Sequence, residues 1–234
     1  MIKIRRSKER GHAEHGWLNS YHTFSFGSYH DPEFMGFGPL RVLNQDRVEP
    51  AKGFGTHGHD NMEIVSFVLS GTMEHKDSMG NGSQMNLGDV QLMSAGTGVT
   101  HSEFNASENE GLHFLQMWVT PAVRDTAPRY EQAHYPESER RGRFKLVASP
   151  DGHDNSLSIG QDVNLYTGIL DGSEADSLDL SAGRGAWIHV AEGALQLNGQ
   201  RLNTGDGAAI QEESRISISN GENAQFVLWE LPLP

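Results

Sequence analysis

Short segments that are apolar throughout, or in which apolar and polar positions alternate, recur along the chain and predict β-strands. They lie at residues 40–43, 63–69 and 112–119 in the first half, and at residues 186–190, 195–197, 215–218 and 225–231 in the second. Residues 121–143, between the two sets, are polar and proline-containing. The pattern therefore predicts two β domains joined by a linker, with room for one short helical turn near Pro136.

The two halves repeat one order of turn signals. A strand that ends at Gly71 is followed by Gly88-Asp89, and a strand that ends at Gly193 is followed by Gly205-Asp206. A turn glycine and a Gly-Asp turn at similar spacing indicate two copies of one β-barrel. We therefore expect an all-β fold of two antiparallel jelly-roll barrels packed together, each covering part of the other's sheet edges.

The domain boundaries follow from this division. Residues 1–125 are predicted to form the first barrel with an N-terminal arm, residues 126–144 the linker, and residues 145–234 the second barrel. The 27 glycines and 9 prolines of the 234-residue chain suit many short strands joined by tight turns better than a helical bundle.

Composition and charge remove several classes of function. The chain has no cysteine, which excludes disulfides, thiolate metal sites and cysteine nucleophiles. Its net charge of -13 opposes contact with a nucleic-acid backbone or an anionic bilayer. No apolar run approaches the roughly 18 to 20 residues of a membrane span, and no apolar segment follows the basic residues within 1–10 as in a secretory signal. We expect a monomeric cytoplasmic protein that binds neither nucleic acid nor membrane.

Two short motifs carry the candidate chemistry. On an extended segment, residues two apart face the same way, so His57 and His59 can converge on one point. The same period aligns an imidazole with a carboxylate at His101 and Glu103. Three neutral nitrogens and one anionic oxygen suit Fe(II), Mn(II), Ni(II) or Co(II) and leave coordination positions open for a substrate and O₂. A lone His-x-His pair is more often a solvated strand, but two such pairs on facing strands predict a metal site.

Glu63 is an alternative carboxylate ligand. It lies two strand periods beyond His59 on the same face, and from geometry alone it could reach the ion. A loop kink at Asp60-Asn61 would break that parity. Spacing therefore leaves Glu63 and Glu103 both open as the fourth ligand.

These motifs resemble a known superfamily. Residues 57–71, which begin with His57-x-His59, resemble the first cupin motif, and Gly98-x-x-His101-x-x-x-Asn105 resembles the second. More narrowly, residues 93–103 are similar to the signature of the pirin family. Residues 75–81 and 16–26 are similar to the bacterial branch of that family.

The resemblance implies a bicupin fold with metal only in the N-terminal barrel. The ligands would be His57, His59, His101 and Glu103 around one divalent ion, Fe(II) first, with Mn, Ni, Co, Cu or Zn as alternatives. Glu63, the fourth ligand in many cupins, would then have a supporting role. The second half offers no matching motif, and His189 is isolated there.

Family members are credited with quercetin 2,3-dioxygenase activity, and others are metal- or redox-sensing partners of regulatory proteins. The first hypothesis is therefore a dioxygenase that opens the heterocyclic ring of a flavonol such as quercetin with O₂ and releases CO. Glu103 would accept the proton of the substrate's hydroxyl. The second hypothesis is a non-catalytic metal-dependent protein that binds a regulatory or enzyme partner. A sugar isomerase would need basic groups for a phosphate, and only Lys52 and Lys76 lie near the motifs.

The aromatic N-terminal segment is the last feature of interest. Residues 12–37 combine four histidines with many aromatic side chains. This composition suggests an arm packed over a barrel mouth, where a few of these rings could form the wall of an aromatic substrate pocket.

Overall fold

The structure, a computed structural model, describes residues 1–233 and is built almost entirely of β-strands. The strands of the first half are β1 (Ile2–Arg5), β2 (Gly11–Glu14), β3 (Leu18–His22), β4 (Leu40–Val48), β5 (Gly53–His59), β6 (Glu63–Ser70), β7 (Met73–Asp77), β8 (Gly82–Met85), β9 (Asp89–Ser94), β10 (Val99–Asn105), β11 (Leu112–Val119) and β12 (Arg129–His134). Those of the second half are β13 (Lys145–Ser149), β14 (Leu157–Ser158), β15 (Asn164–Gly172), β16 (Asp176–Asp179), β17 (Arg184–Leu197), β18 (Gln200–Asn203), β19 (Gly207–Ile210) and β20 (Arg215–Pro232).

Helical structure is confined to short segments. The helical turn predicted near Pro136 is confirmed as α1 (Glu137–Arg140), with Pro136 at its N-cap. Two 3₁₀ turns lie at Ser7–Glu9 and His153–Asn155. Among residues 1–233, no helix has the length and apolar character that a membrane crossing requires.

Two compact units divide the chain at positions other than the predicted boundaries. The N-terminal unit holds Gly11–His134 and Leu157–Gln161, and the C-terminal unit holds the remaining described residues. Part of the predicted linker is therefore a strand, because β12 pairs with β9 in the N-terminal unit. Its side chains are mostly half-buried, as at a sheet edge, where polar residues are tolerated and the hydrophobic pattern gives no signal.

The N-terminal unit consists of two antiparallel sheets that pack face to face. One has the order β12-β9-β6-β11-β4-β3-β2 and the other β5-β10-β7-β8. Buried apolar side chains from both sheets form a shared core, including Val68 and Phe114 from the larger sheet and Met73 and Met85 from the smaller. The all-β, antiparallel cupin prediction is confirmed. The sheets are not hydrogen-bonded into closed barrels, however, because strands such as β12 and β8 remain as edges.

The C-terminal unit is organised around the long strands β17 and β20. Its sheet has the order β1-β19-β17-β20-β15-β13, with β16 and β18 paired to β20 and β17. The first ten residues belong here because β1 pairs with β19 in the register Ile2↔Ile210 and Ile4↔Ala208. Both isoleucines pack against the core of this unit. Their packing explains why the N-terminal segment separates from the half that follows it in sequence.

The repeated turn signal corresponds to a repeated turn geometry. In the Gly88-Asp89 and Gly205-Asp206 turns, the glycine has φ of 86° and 80°, a left-handed conformation that favours glycine. In each turn the aspartate N–H donates to the carbonyl of the residue three positions earlier, at 2.9 Å for both. The same aspartate accepts the N–H of that residue, Asn86 or Asn203, at 2.6 and 3.0 Å. The two units therefore share a locally identical hydrogen-bonded loop.

A substitution at Asp206 tests how the first ten residues are attached to the C-terminal unit. Its buried carboxylate accepts the Ser7 N–H at 2.8 Å, an Arg6 guanidinium N–H at 2.7 Å and the Asn203 N–H at 3.0 Å. We expect Asp206→Ala to lower the free energy of unfolding by about 2–4 kcal/mol, because the three hydrogen bonds to this buried carboxylate are lost together. Urea unfolding followed by tryptophan fluorescence measures this. Glu222→Ala, which breaks an exposed pair with Arg201, is the matched control; an equal loss in both variants would contradict the assignment.

Candidate metal centre

Strand register brings the three predicted histidine ligands together. In the antiparallel pair of β5 and β10, His101 lies directly opposite His57, and His59 is two residues from His57 on the same strand. One ring nitrogen from each of the three lies within 4.8 Å of the other two. The ring centroids are 4.5 to 5.0 Å apart. Such a spacing allows one ion to contact all three imidazoles.

The hydrogen bonding of these rings fits metal ligation. His101 is buried, and within residues 1–233 neither of its ring nitrogens has a hydrogen-bond partner. Buried polar atoms are rarely left in that state, so a ligand is the expected partner. His57 Nδ1 lies 2.8 Å from the carbonyl oxygen of Gly55. Donation from Nδ1 to that oxygen leaves the lone pair of Nε2 free for a metal, as is usual for ligating histidines.

Burial also keeps the cluster in its ligand form. Removal from water is the main cause, and the neighbouring His101 and His57 rings the next, of a pKa for His59 that is lowered to about 4. The same causes lower the pKa of His101 to about 3, with burial first and His57 next. A metal binds only the neutral imidazole, so His59 and His101 need lose no proton at neutral pH before binding.

Glu103 lies beside this cluster but in a different grouping. A bulge between His101 and Glu103 shifts the register, so that Glu103 lies opposite Phe54 on β5. A carboxylate oxygen of Glu103 is within 4.8 Å of ligand nitrogens of His101 and His75, whereas the group with His57 and His59 does not include it. Both groupings share His101, so they describe one continuous cluster.

The Glu103 carboxylate is held by two donors from the larger sheet. The Ser66 hydroxyl donates to Oε1 at 3.0 Å, and the Gln116 side-chain amide donates to Oε2 at 2.6 Å. Glu103 is 2% exposed and still borders the cavity described below. Each oxygen retains a second lone pair, so the carboxylate can also accept a proton or contact an ion.

His75 is a residue that the sequence analysis missed. Its ring is buried, lies 5.4 Å from the His101 ring and stacks on Tyr130 at 4.8 Å. His75 Nε2 lies 3.1 Å from an Asp77 oxygen, and within residues 1–233 its Nδ1 has no partner. In the sequence, His75 and Asp77 have the same two-residue spacing as the predicted ligand pairs, and this spacing could have indicated them. Only the pairing of β7 with β10, which sets His75 opposite Glu103, connects this pair with the cluster.

Glu63 has a structural role away from the cluster. Its buried carboxylate accepts the Ser94 hydroxyl at 2.7 Å and the Gly160 N–H at 3.0 Å. A Cβ at Gly160 would lie 2.7 Å from a Glu63 oxygen, so the close approach requires glycine. Glu63 therefore fastens residues 157–161 to the sheet of the N-terminal unit.

A cavity of about 820 Å³ opens beside the histidines. Its aromatic wall includes Trp17, Phe26, Phe54 and Trp118, in two edge-to-face pairs with centroids 5.3 Å apart. Part of the N-terminal aromatic segment therefore lines a pocket. The rest of its lining includes His57, His59 and Glu103 and a polar strip formed by Ser20, His22, Asn44 and Asp46.

The buried carboxyl group of Asp46, which borders this cavity, has a raised pKa. Burial raises its pKa to about 7; the nearby charge of Glu103 also raises it, while a hydrogen bond from Ser20 opposes the shift. At neutral pH the group therefore populates both its protonated and its ionised form.

Antiparallel sheets packed around a histidine cluster that borders a cavity are the arrangement of the cupin class of metal-binding proteins. The family model described as Pirin matches residues 3–119, and the one described as Quercetinase C-terminal cupin domain matches residues 146–231. The chain belongs to the pirin family. The recognition made from the sequence motifs is confirmed.

Full-length relatives agree with this assignment. A quercetin 2,3-dioxygenase of Escherichia coli (strain K12) is 47% identical over 232 residues, covering 99% of each chain. The crystal structure of YhhW from Escherichia coli has a TM-score of 0.95 at 47% identity, covering 100% of this chain and 99% of that one. The bacterial pirin YhhW in complex with nickel(II) has a TM-score of 0.94 at 47% identity, covering 100% of both chains.

Two glutamine variants separate the carboxylates. We expect Glu103→Gln to weaken divalent metal binding by roughly 10- to 100-fold, because it removes the negative charge beside the histidines and replaces one of the two oxygens that accept from Ser66 and Gln116. Glu63→Gln should bind metal within about threefold of the unchanged protein and lower its melting temperature by a few degrees, about 2–4 °C. Competition dialysis with Ni(II) or Co(II) and thermal melts measure both. The reverse order of affinities would make Glu63 the ligand.

From the raised pKa of Asp46 we predict that the stability of the metal-free protein depends on pH. Unfolded, its carboxyl ionises near 3.8, and folded near 7, so the folded state binds more protons between these values and stability falls as pH rises through that window. Asp46→Asn removes this loss. We expect the variant to be more stable at pH 8, by at most ~4 kcal/mol, with the advantage vanishing below pH ~4. Urea unfolding across this pH range measures it; an advantage that does not change with pH would contradict the shifted pKa.

Proposed function

We propose that this protein is an Fe(II)-dependent dioxygenase that opens the heterocyclic ring of flavonols such as quercetin and releases CO. The observation that carries the proposal is the three-histidine cluster at the wall of an 820 Å³ aromatic cavity. The names of the full-length relatives support the substrate class. Flavonols are flat and aromatic, and a cavity of this size can enclose them.

The proposed ligands are His57, His59, His101 and Glu103. Three imidazoles and one carboxylate form a donor set that Fe(II) accepts with positions left open. The nickel(II) in the 47% identical structure supports a divalent ion in general, so Mn, Co, Ni, Cu and Zn are alternatives to be compared. A bound ion would supply Lewis-acid stabilisation of a deprotonated flavonol hydroxyl and the redox capacity that O₂ chemistry requires.

Glu103 is proposed as the general base. Its carboxylate borders the cavity and is fixed by Ser66 and Gln116, so it can take the hydroxyl proton of a bound flavonol without reorienting. The aromatic wall, with Trp118 edge-on to His59 at 4.9 Å, would orient the flat rings and exclude water from the reacting carbon atoms.

The remaining expectations extend this proposal. We propose a monomer in the cytoplasm that takes a flavonol and O₂ and contacts neither nucleic acid nor membrane. The alternative is a metal-sensing protein that binds a regulatory partner through the same unit. The dioxygenase and the metal-sensing protein are distinguished by whether flavonol consumption depends on the metal and O₂.

Flavonol consumption should require both metal and O₂. We expect aerobic, Fe(II)-loaded protein to consume quercetin with release of CO, and chelated or anaerobic samples to lose this activity. The paired variant His57→Ala/His59→Ala should be inactive, while His153→Ala, at an exposed histidine of the C-terminal unit, should match the unchanged protein. Quercetin absorbance and headspace CO are the measurements. Undiminished consumption without O₂ would remove the dioxygenase and favour the partner-binding alternative.

At saturating metal, Glu103→Gln should still reduce turnover by roughly 10²- to 10⁴-fold, the range expected when a general base is lost. Full activity of Glu103→Gln at saturating metal would show that Glu103 contributes to metal binding and not to proton transfer.

A further inference from the structure

The polar strip in the cavity follows two cross-strand rows of the larger sheet. In one row Ser20 of β3 lies opposite Asp46 of β4, and in the next His22 lies opposite Asn44. The rows flanking them on this face are apolar, with Leu18 opposite Val48 on one side and Val42 opposite Trp118 of β11 on the other. Burial of polar groups at these positions costs folding free energy, which is offset only for those groups that form hydrogen bonds.

The hydrogen bonds within the strip leave specific atoms unpaired. Ser20 donates to Asp46 Oδ1, and His22 Nδ1 lies 3.0 Å from Asn44 Oδ1. Within residues 1–233, the hydrogen bonds of the strip use neither Asp46 Oδ2 nor the side-chain nitrogen of Asn44. Ser20, Asn44 and Asp46 are each only 2% exposed, and all three border the cavity. Both atoms are therefore available to a molecule in the cavity, whether water or a bound ligand.

The chemistry of the strip selects the type of group it can bind. An amide donor stands beside a carboxyl group, and the cavity lining contains neither lysine nor arginine among the described residues. An anion such as phosphate would face Asp46 without a compensating charge. A neutral hydroxyl can accept from the Asn44 amide and donate to the Asp46 carboxylate at the same time.

The distance between this strip and Glu103 suits a phenol with two separated hydroxyls. Asn44 lies opposite Gln116 on β11, and Gln116 donates to Glu103. Neighbouring strands are about 4.8 Å apart, so the strip lies on the order of 5–10 Å from the Glu103 carboxylate. A fused bicyclic phenol is longer than that span, so one of its hydroxyls can reach Glu103 while another reaches the strip.

We propose that Asn44 and Asp46, with Ser20 as a positioning residue, form a subsite that binds a second hydroxyl of the flavonol, remote from the one deprotonated by Glu103. The subsite rests on the proposed function for the identity of the ligand. It makes the protein selective for polyhydroxylated flavonols over the parent compound.

The test is a binding experiment without turnover. Metal-loaded protein is titrated anaerobically with three flavonols while the fluorescence of the tryptophans is followed. The parent flavonol carries only the hydroxyl beside its ketone, galangin adds hydroxyls on the fused ring, and kaempferol adds one more on the pendant ring. We expect galangin or kaempferol to bind roughly tenfold more tightly than the parent flavonol, as one added buried hydrogen bond allows.

The variants Asp46→Leu and Asn44→Leu should abolish this preference, measured in each variant as the ratio of its affinities for galangin or kaempferol and for the parent flavonol. Ser20→Ala is a smaller change that keeps Asp46 but removes the hydrogen bond that orients its carboxyl group. This variant should reduce the preference partially. Gln45→Leu, on the opposite face of β4, is the matched control and should retain it. Metal content and thermal melts identify any leucine variant that fails to fold. In that case the hydroxyl preference of Ser20→Ala is the result that tests the subsite.

Two outcomes would overturn the subsite: equal binding of all three flavonols by the unchanged protein, or a preference that survives both leucine variants. Failure of the proposed function is distinguishable from either. In that case the hydroxyl preference and its loss in the variants would persist, but aerobic Fe(II)-loaded protein would consume none of the three compounds.

Discussion

The antiparallel register between β5 and β10 is the constraint on which the rest of the site depends. It sets His101 opposite His57, and the two-residue period of β5 adds His59 to the same face. A slip of one residue would turn His101 to the other face of its strand and disperse the cluster. Both strands lie in the smaller sheet, whose packing against the larger one closes the cavity over the histidines.

Three buried carboxylates of the N-terminal unit show how surroundings assign different roles to similar groups. Glu63 is bound by Ser94 and the Gly160 N–H and stabilises a loop, whereas Glu103 is bound by Ser66 and Gln116 and borders the histidines. Asp46 has only the Ser20 hydroxyl as a protein partner within the described chain, and its remaining capacity faces the cavity. The less completely a buried carboxylate is satisfied by the protein, the stronger the case that it serves a ligand.

The candidate metal cluster lies in one of the two units, although both share a turn geometry. Both contain the same glycine-aspartate turn with matching hydrogen bonds, which indicates that the scaffold is specified twice. In the C-terminal unit the aspartate of this turn binds the first ten residues, and His189 is buried in β17. In the N-terminal unit the fold instead carries two polar rows that border the cavity, which reduces apolar burial there.

The sequence by itself determined the all-β class, the duplication, the pirin relationship and the grouping of His57, His59 and His101. These features depend on short-range periodicity, which residue spacing records directly. Spacing left Glu63 and Glu103 as equivalent candidates, and the pirin resemblance favoured Glu103. The tertiary structure groups Glu103, and not Glu63, with His101, because the partners of each carboxylate come from distant strands. The pairing of β1 with β19, the strand hidden in the predicted linker, and the contributions of His75 and Asp46 were likewise decided by long-range strand pairing. Local hydrophobic pattern carries no information about which strands become neighbours, and that is why these features appear only in the folded chain.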